Sequence, residues 1–203
     1  MTSFKTILGA LFGLLVSGII VWGAVSYQNS KASIENAGLV RHTHEVIEQT
    51  NEISSLYKDI QLEGNAFFIS GDSSLLVPYW KARNAVMPSI DKLRRLTRDN
   101  PEQAPRIDSL VFYVKELISF TNNLPDREGA YVQEQINERI VVNYEYRQHI
   151  GKVISSIRRG EESLLGPREL AYKASIAAFN RTFLLLILGI AVLLATTFLR
   201  ITN

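Results

Sequence analysis

Two histidines near the start of the polar part of the chain are the first residues whose types suggest chemistry, namely metal binding. His42 and His44 lie two residues apart, so on a helix their side chains point about 200° away from each other and do not share a metal ion. The HEVIE run at residues 44–48 lacks the second histidine of the zinc-protease pattern, because its fifth residue is glutamate. We therefore predict no metal site and no cofactor.

Patterns for catalysis are missing from the sequence. It has no glycine-rich phosphate loop, no nucleophile elbow and no plausible catalytic triad. It has no cysteine, which excludes disulfides, thiolate zinc sites and a cysteine nucleophile. Arginines clustered at residues 94–98 and 158–159 have the charge to hold an anion, but solvated helix faces commonly carry such runs, and we interpret them in that way. We predict that the chain is not an enzyme.

Charge is concentrated in the middle of the 203-residue chain, and it is balanced there. All 20 acidic residues lie between Glu35 and Glu169, and 20 of the 22 basic residues lie between Lys31 and Arg181. A nucleic-acid-binding protein needs a basic surface that displaces counterions from phosphates. The balance therefore argues against a nucleic-acid partner.

Two segments are apolar enough to cross a lipid bilayer. Residues 6–30 carry no charged side chain, and the helix predicted at 7–26 is long enough to span about 30 Å of hydrocarbon. A second membrane helix is predicted at 182–199, between two arginines. The alternative for the first segment is a signal peptide cleaved near Ala24 and Ser26, although its apolar stretch is longer than a signal-peptide core.

The two tails determine the predicted topology. Residues 1–6 and 200–203 each carry one basic and no acidic side chain, which places both tails in the cytoplasm under the positive-inside rule. Residues 27–181 then form a domain on the periplasmic or extracellular side of the inner (cytoplasmic) membrane, anchored at both ends in the bilayer.

The first helix of this domain has an apolar residue every seven positions, which is typical of one buried helix face. The members are Leu39, Val46, Ile53, Ile60 and Phe67, with Thr43, Thr50, Tyr57 and Gly64 between them. The helix is predicted to end at Gly71, and Asp72 can cap the next helical turn. A second helix is predicted from about Pro78, with the buried face Tyr79, Val86, Ile90, Leu93 and Thr97.

A third helix is predicted to begin at Asn100, with Pro101 at its first position and Gln103 reaching back to the cap. Its apolar stripe is Ile107, Leu110, Val114, Leu117 and Thr121. A fourth helix is predicted from near Asp126, with the stripe Ile136, Ile140, Ile150, Ile154, Ile157 and Leu164 and the polar positions Asn143, Arg147 and Glu161. We predict an all-α fold, an up-down-up-down four-helix bundle whose long first and last helices continue into the membrane helices.

Four stretches of the chain, in order, are similar to one known family, the third type of CHASE domain. They are residues 40–46, residues 67–72 with Leu76 and Pro78-Tyr79, residues 96–103, and residues 162–165 with Arg168. The family comprises extracellular sensory domains associated with cyclases and histidine kinases. The resemblance implies a periplasmic, ligand-sensing helical bundle between two membrane helices, with an output domain in the cytoplasm.

The sequence departs from the family pattern in three places. The family has an acidic residue and an arginine four apart where this chain has Gln61 and Asn65. Gly166-Pro167 interrupts the last helix, where we predict a kink. No output domain is present before Asn203, so we expect the signal to reach a homodimer partner or a membrane-bound sensor kinase or cyclase.

The function predicted from these features is that of a membrane-anchored sensory input module. The alternative is a structural or accessory envelope protein whose bundle binds another protein and no small ligand. We assign ligand-binding or signalling roles to Gln61, Asn65, Phe67, Tyr79, Glu162 and Arg168. Gln61 and Asn65 also have a structural interpretation, in which their amides bond to each other or to a facing helix.

Small residues within the two predicted membrane helices suggest a surface for helix association. Gly9, Gly13 and Ser17 fall on one face of the first span, and Ala191 and Ala195 on one face of the second. Small side chains let helix backbones approach closely in the membrane. The lipid bilayer and another membrane helix are the partners that this pattern predicts.

Overall fold

The computed structural model describes residues 4–122 and 133–202, and the regular structure of these residues is entirely helical. Its α-helices are α1 (Phe4–Ser70), α2 (Leu76–Leu96), α3 (Ala104–Asn122) and α4 (Gln133–Thr202). Short 3₁₀ helices at Ser73–Leu75 and Pro101–Gln103 precede α2 and α3. The all-α prediction is confirmed, whereas the helix start predicted near Asp126 lies outside the described residues.

The chain divides into two compact units. The terminal unit comprises Met1–Arg41 and Gly166–Asn203, and the central unit comprises His42–Leu165. Helices α1 and α4 each contribute to both units, because each contains residues on either side of the division. The sequence prediction placed the domain boundaries nearer the membrane, at residues 27 and 181.

The core of the central unit is a helical bundle to which all four α-helices contribute buried apolar side chains. Its fully buried members include Val46, Ile53 and Ile60 of α1, Tyr79, Val86, Ile90 and Leu93 of α2, Ile107, Leu110, Val114 and Leu117 of α3, and Ile150 and Ile157 of α4. The stripes predicted for α2 and α3 are therefore confirmed, including their final threonines, Thr97 and Thr121.

Six predicted core positions are not fully buried. On α1, Leu39 is 44% exposed, and Phe67 is only half-buried, because its neighbour Phe68 occupies the buried position. On α4, Ile140 is 46% exposed and Arg147 is exposed. The remaining two, Ile136 and Leu164 of α4, are half-buried.

A charged residue, Arg139, holds the core-facing position of α4 that the sequence pattern gave to Ile140. Its guanidinium lies 4.6 Å from the ring centre of Phe68 and 4.8 Å from that of Phe120. Arg139 is 8% exposed. Attraction between the cation and the two aromatic rings helps to offset the burial of this charge.

The turn between α1 and α2 agrees closely with the sequence prediction. Gly71 has a φ of +69°, which a glycine adopts without strain, and its N–H donates to the carbonyl of Phe67 at 2.8 Å. The side chain of Asp72 accepts a hydrogen bond from the N–H of Ser74 at 2.9 Å. Hydrogen bonds from the side chain and the backbone of Ser74 lower the pKa of the Asp72 carboxyl. Helix α2 begins at Leu76, which places Pro78 in the first turn, where no amide donor is needed.

Helices α1 and α4 each contain a segment that is long and apolar enough to cross a membrane, judged by length and composition. In the terminal unit, the side-chain amide of Asn29 donates to the hydroxyl of Thr182 at 3.2 Å, and that of Asn36 donates to the carbonyl of Ala171 at 3.4 Å. Later residues of α1 therefore contact earlier residues of α4. Within this unit the two helices run antiparallel.

Helix α4 continues through Gly166 and Pro167 without a break. The expectation that this pair interrupts the helix is therefore wrong, because the proline removes only one backbone donor and the neighbouring turns keep theirs. A bend at this position remains a prediction.

The small residues of the predicted membrane helices are open to a further helix. A Cβ added at Gly9 or Gly13 would meet no atom within 4 Å, and Ala191 and Ala195 are exposed. We expect the double variant Gly9→Ile with Gly13→Ile to weaken self-association in a membrane two-hybrid assay, because branched side chains keep helix backbones apart. Val21→Ile with Val25→Ile, away from the face of the glycines, is the matched control. Unchanged association of the glycine variant would show that this face is not the interface.

Candidate functional site

Three side-chain amides meet between α1 and α4 in the central unit, and we call Gln61, Asn65 and Asn143 the amide cluster. Gln61 Nε2 donates to the backbone carbonyl of Asn143 at 2.8 Å. Asn143 Nδ2 donates to Asn65 Oδ1 at 2.6 Å. Gln61 and Asn65 are one turn apart on α1, so both reach the same turn of α4. The prediction that these amides bond to a facing helix is confirmed.

One acceptor of the amide cluster is unused. Gln61 is 7% exposed and Asn143 is 3% exposed. The Oδ1 atom of Asn143 is buried and has no hydrogen-bond partner among the residues that the structure describes. A buried polar atom without a partner costs about 1–3 kcal/mol, so a bound molecule that donates a hydrogen bond here would gain binding energy.

The amide cluster lies at a cleft of about 350 Å³ between α1 and α4, which we call the amide cleft. Its other lining residues are Lys58, Asp59, Leu62, Ile140, Tyr144 and Arg147. The exposed side chain of Ile140 thus lies at the wall of a cleft instead of in the core. The lining combines apolar groups, charges of both signs and amides, a mixture typical of small-molecule sites.

A second cleft of about 370 Å³, the basic cleft, shares Lys58 and Arg147 with the amide cleft. The remaining lining residues are Tyr57, Gln148, Gly151, Lys152, Ser155 and Arg159. Because Lys58 and Arg147 line both clefts, the two clefts are adjacent between α1 and α4, and we call the pair the groove. Four of the groove's side chains are basic, and one, Asp59, is acidic.

The other residues predicted to bind a ligand or to signal do not line this groove. Tyr79 is fully buried in the core, Phe67 is half-buried, and Glu162 is exposed. Arg168 lies in the terminal unit, where its Nη1 donates to the carbonyl of Leu39 at 3.4 Å. The structure thus brings together Gln61 and Asn65 of the predicted site residues and separates them from the rest.

The comparison with known protein families adds an independent observation. Residues 36–123 match the CHASE3 domain family, a range that includes Gln61 and Asn65. The match supports a CHASE-type sensory domain. CHASE3 domains are extracellular sensory domains. No curated protein and no solved structure matches the chain.

Sequence reasoning gave the basic residues of the groove no binding role: it interpreted Arg159 as part of a solvated helix face and Arg147 as a polar position of the buried stripe. Arg147, Gly151, Ser155 and Arg159 are spaced at intervals of four, so they lie along one face of α4, beyond the end of the CHASE3 match. This spacing was a usable signal. Lys58 belongs to α1, and only the pairing of α1 with α4 brings it to the same groove.

The amide pair permits a test of its structural role. Gln61→Glu alone is expected to destabilise the central unit by about 1–3 kcal/mol, because a carboxylate cannot donate to the carbonyl of Asn143. Adding Asn65→Arg supplies an ion-pair partner one turn away, and the double variant is expected to keep the fold and recover part of the loss. Thermal unfolding of the full-length protein measures both effects. A double variant that no longer unfolds cooperatively would contradict the prediction.

A second buried polar side chain, that of Gln103, links the start of α3 to α4 in the central unit. Gln103 Nε2 donates to Glu161 Oε1 at 2.9 Å and to the carbonyl of Ile157 at 3.2 Å. Arg106 Nη1 donates to Gln103 Oε1 at 3.1 Å. The side chain of Asn100 caps the turn as predicted, accepting from the N–H of Glu102 at 3.2 Å. Gln103 thus contacts α4 and does not complete the predicted capping box.

Gly160 allows this contact between α3 and α4. A Cβ at this position would lie 2.8 Å from Arg106 Nη1 and 2.9 Å from Gln103 Nε2. We expect Gly160→Ala to lower the free energy of unfolding by about 1–3 kcal/mol, because both side chains must move from their positions. Gly38→Ala is the matched control: its Cβ meets no atom within 4 Å, and the gain in helix propensity of up to about 1 kcal/mol should appear there. Equal stability of the two variants would contradict this account.

Proposed function

We propose that the chain is the sensory input module of a signal-transduction system in the inner membrane. In this proposal residues 7–26 and 182–199 span the membrane, residues 1–6 and 200–203 lie in the cytoplasm, and the CHASE3 domain lies on the periplasmic side. The domain is an up-down-up-down four-helix bundle. The CHASE3 match, the two apolar segments and the charge-free stretches at both ends of the chain support this arrangement.

The observation that carries the proposal is the position of the groove between α1 and α4. These are the two helices that contain the apolar segments. A ligand in the groove contacts both helices, so its binding energy favours one arrangement of α1 and α4 over another. A ligand shifts such an equilibrium by as much as its affinities for the two arrangements differ. The membrane helices then transmit the change to a second copy or to a membrane-bound kinase or cyclase.

An accessory role is the second candidate, and an apolar patch on α2 favours it. Val77 and Trp80 are both largely exposed at the start of this helix. Exposed aromatic and branched side chains of this kind are common where one protein docks on another. In this alternative the central unit binds another envelope protein and the groove holds no ligand.

Topology is tested with single cysteines, because the natural chain has none. Glu102→Cys places a thiol at an exposed position of the central unit, and Thr2→Cys places one in the N-terminal tail. A membrane-impermeant maleimide should label the first variant in intact spheroplasts and the second only after lysis. Labelling of Thr2→Cys in intact spheroplasts would contradict the topology.

Signalling is tested by joining residue 203 to the output half of a histidine kinase and measuring kinase activity through a reporter gene. The cysteine pair Asn65→Cys with Asn143→Cys joins α1 to α4 at the amide cluster, where the two natural side chains are in contact. We expect this cross-link to fix reporter activity at one level and a reductant to release it. The single variant Asn65→Cys is the control. Reporter activity that is the same with and without the cross-link would favour the accessory role.

A further inference from the structure

The four basic side chains of the groove are held without ion-pair partners. Lys58, Arg147, Lys152 and Arg159 are all exposed, and none of them has an acidic partner within 4.0 Å among residues 4–122 and 133–202. Other arginines of the central unit do have partners: Arg94, for example, lies 2.8 Å from Asp108. These four side chains thus carry positive charge that no ion pair among the described residues neutralises.

Gly151 of α4 shapes the basic cleft. Gly151 lies between Arg147 and Ser155 on the lining face, and a Cβ there would lie only 3.6 Å from the hydroxyl of Tyr57. The missing side chain leaves space at the centre of the basic cleft. Hydroxyl groups of Tyr57 and Ser155 line the same space, so neutral donors accompany the cations.

The amide cleft supplies a different recognition group beside Lys58 and Arg147. Asn143 Oδ1 is a buried acceptor without a partner among the described residues, and Asp59 lies nearby on the lining. Both groups accept a hydrogen bond from a donor. Asn143 and Arg159 are about 24 Å apart along α4, so a small molecule that reaches Asn143 contacts Lys58 and Arg147, and it carries negative charge together with a hydroxyl or amino group.

We propose that the amide cleft binds a small organic dianion, a dicarboxylate or a phosphate ester, which Lys58 and Arg147 hold and whose hydroxyl or amino donor reaches Asn143. This inference rests on the proposed sensory function, whose ligand class it names. Carboxylates and phosphate esters share the chemistry that Lys58 and Arg147 recognise. The amide cleft, at about 350 Å³, has the volume of a small-molecule site.

The binding experiment uses the full-length protein in nanodiscs made of neutral lipid and isothermal titration calorimetry at fixed ionic strength. The probes are malate, succinate, glycerol 3-phosphate and neutral glycerol. We expect malate or glycerol 3-phosphate to bind and glycerol not to bind. Binding by malate alone identifies a carboxylate source of the ligand, and binding by glycerol 3-phosphate alone identifies a phosphate source; either result supports the proposal.

Variants test whether binding occurs in the groove. Lys58→Gln with Arg147→Gln is expected to weaken binding about tenfold or more, since two charge contacts near the protein surface are lost. Lys81→Gln with Lys92→Gln removes the same charge from exposed positions of α2 and is expected to leave binding unchanged. Equal weakening by both pairs would overturn the proposal, because the anion would then respond to net charge alone.

Asn143→Leu tests the donor end of the ligand. This variant is expected to weaken malate binding several-fold more than succinate binding, because only malate carries a hydroxyl group for the Asn143 oxygen. Equal effects on the two anions would overturn the assignment of the donor end. Absence of all anion binding would overturn the whole inference, but a kinase reporter that still responds to the α1–α4 cross-link would leave the sensory function supported.

Discussion

Replacing Tyr79 with alanine is expected to lower the free energy of unfolding of the central unit by about 3–5 kcal/mol, a typical effect of removing a buried aromatic side chain. Tyr79 is fully buried, and its ring packs edge-on against Trp80 with 5.1 Å between ring centres. Gly64 lies against the other side, where an added Cβ would be 3.4 Å from the tyrosine ring. Because Gly64 has no side chain that can fill the space, the alanine variant leaves a cavity.

Tyr79→Phe separates packing from hydrogen bonding at the same position. The Tyr79 hydroxyl is buried and has no hydrogen-bond partner among the described residues. Its removal is expected to leave the stability unchanged or to raise it by up to about 2 kcal/mol, since a buried unpaired hydroxyl is unfavourable. Differential scanning calorimetry of the full-length protein in detergent measures both variants.

The outcome also bears on the ligand-binding role that we assigned to Tyr79 from its sequence motif. If Tyr79→Phe is as destabilised as Tyr79→Ala, the hydroxyl has a partner that stabilises the folded protein. A stable phenylalanine variant supports the interpretation that Tyr79 is a core residue placed against Gly64.

Much of the fold is explained by spacing in the sequence. On α1 the residues Val46, Ile53 and Ile60 recur every seven positions and are all fully buried. The same argument located the buried faces of α2 and α3. It succeeds because a helix that packs on one side must present an apolar side chain about every three or four residues.

The argument fails on α4, where residue type was a poor guide to burial. Ile140 is apolar but lies at the wall of the amide cleft, and Arg139 is charged but lies between two aromatic rings. Those rings belong to Phe68 of α1 and Phe120 of α3, far away in sequence. Counting back from Ile150 by seven residues and then by four reaches Asn143 and Arg139, so spacing alone was correct where hydrophobicity was not.

The candidate site was only partly predictable. Gln61 and Asn65 were identified because they stand where the resembled family has an acidic residue and an arginine. The unused oxygen of Asn143 and the approach of Lys58 to Arg147 depend on how α1 pairs with α4. No local pattern specifies that pairing, since it results from packing among all four helices.

The second large effect is expected at Gln103, which is fully buried. Gln103→Leu removes the donor that reaches Glu161 at 2.9 Å and the carbonyl of Ile157 at 3.2 Å. Glu161 is 2% exposed, so water cannot readily replace the lost donor. We expect the variant to lose about 3 kcal/mol of stability, because a buried acceptor without its donor retains its full desolvation penalty.

A double-mutant cycle distinguishes this cause from a loss of packing. Glu161→Leu removes the acceptor, and Gln103→Leu with Glu161→Leu replaces both polar groups by apolar ones of similar length. When both partners are removed, the buried carboxylate of Glu161 is no longer left without the donor from Gln103, so the double variant is expected to be more stable than Gln103→Leu alone. The coupling energy should exceed about 1 kcal/mol, as it does for residues in one hydrogen-bond network. Strict additivity in calorimetric unfolding of the four full-length proteins would mean that Gln103 stabilises the junction of α3 and α4 by its packing alone.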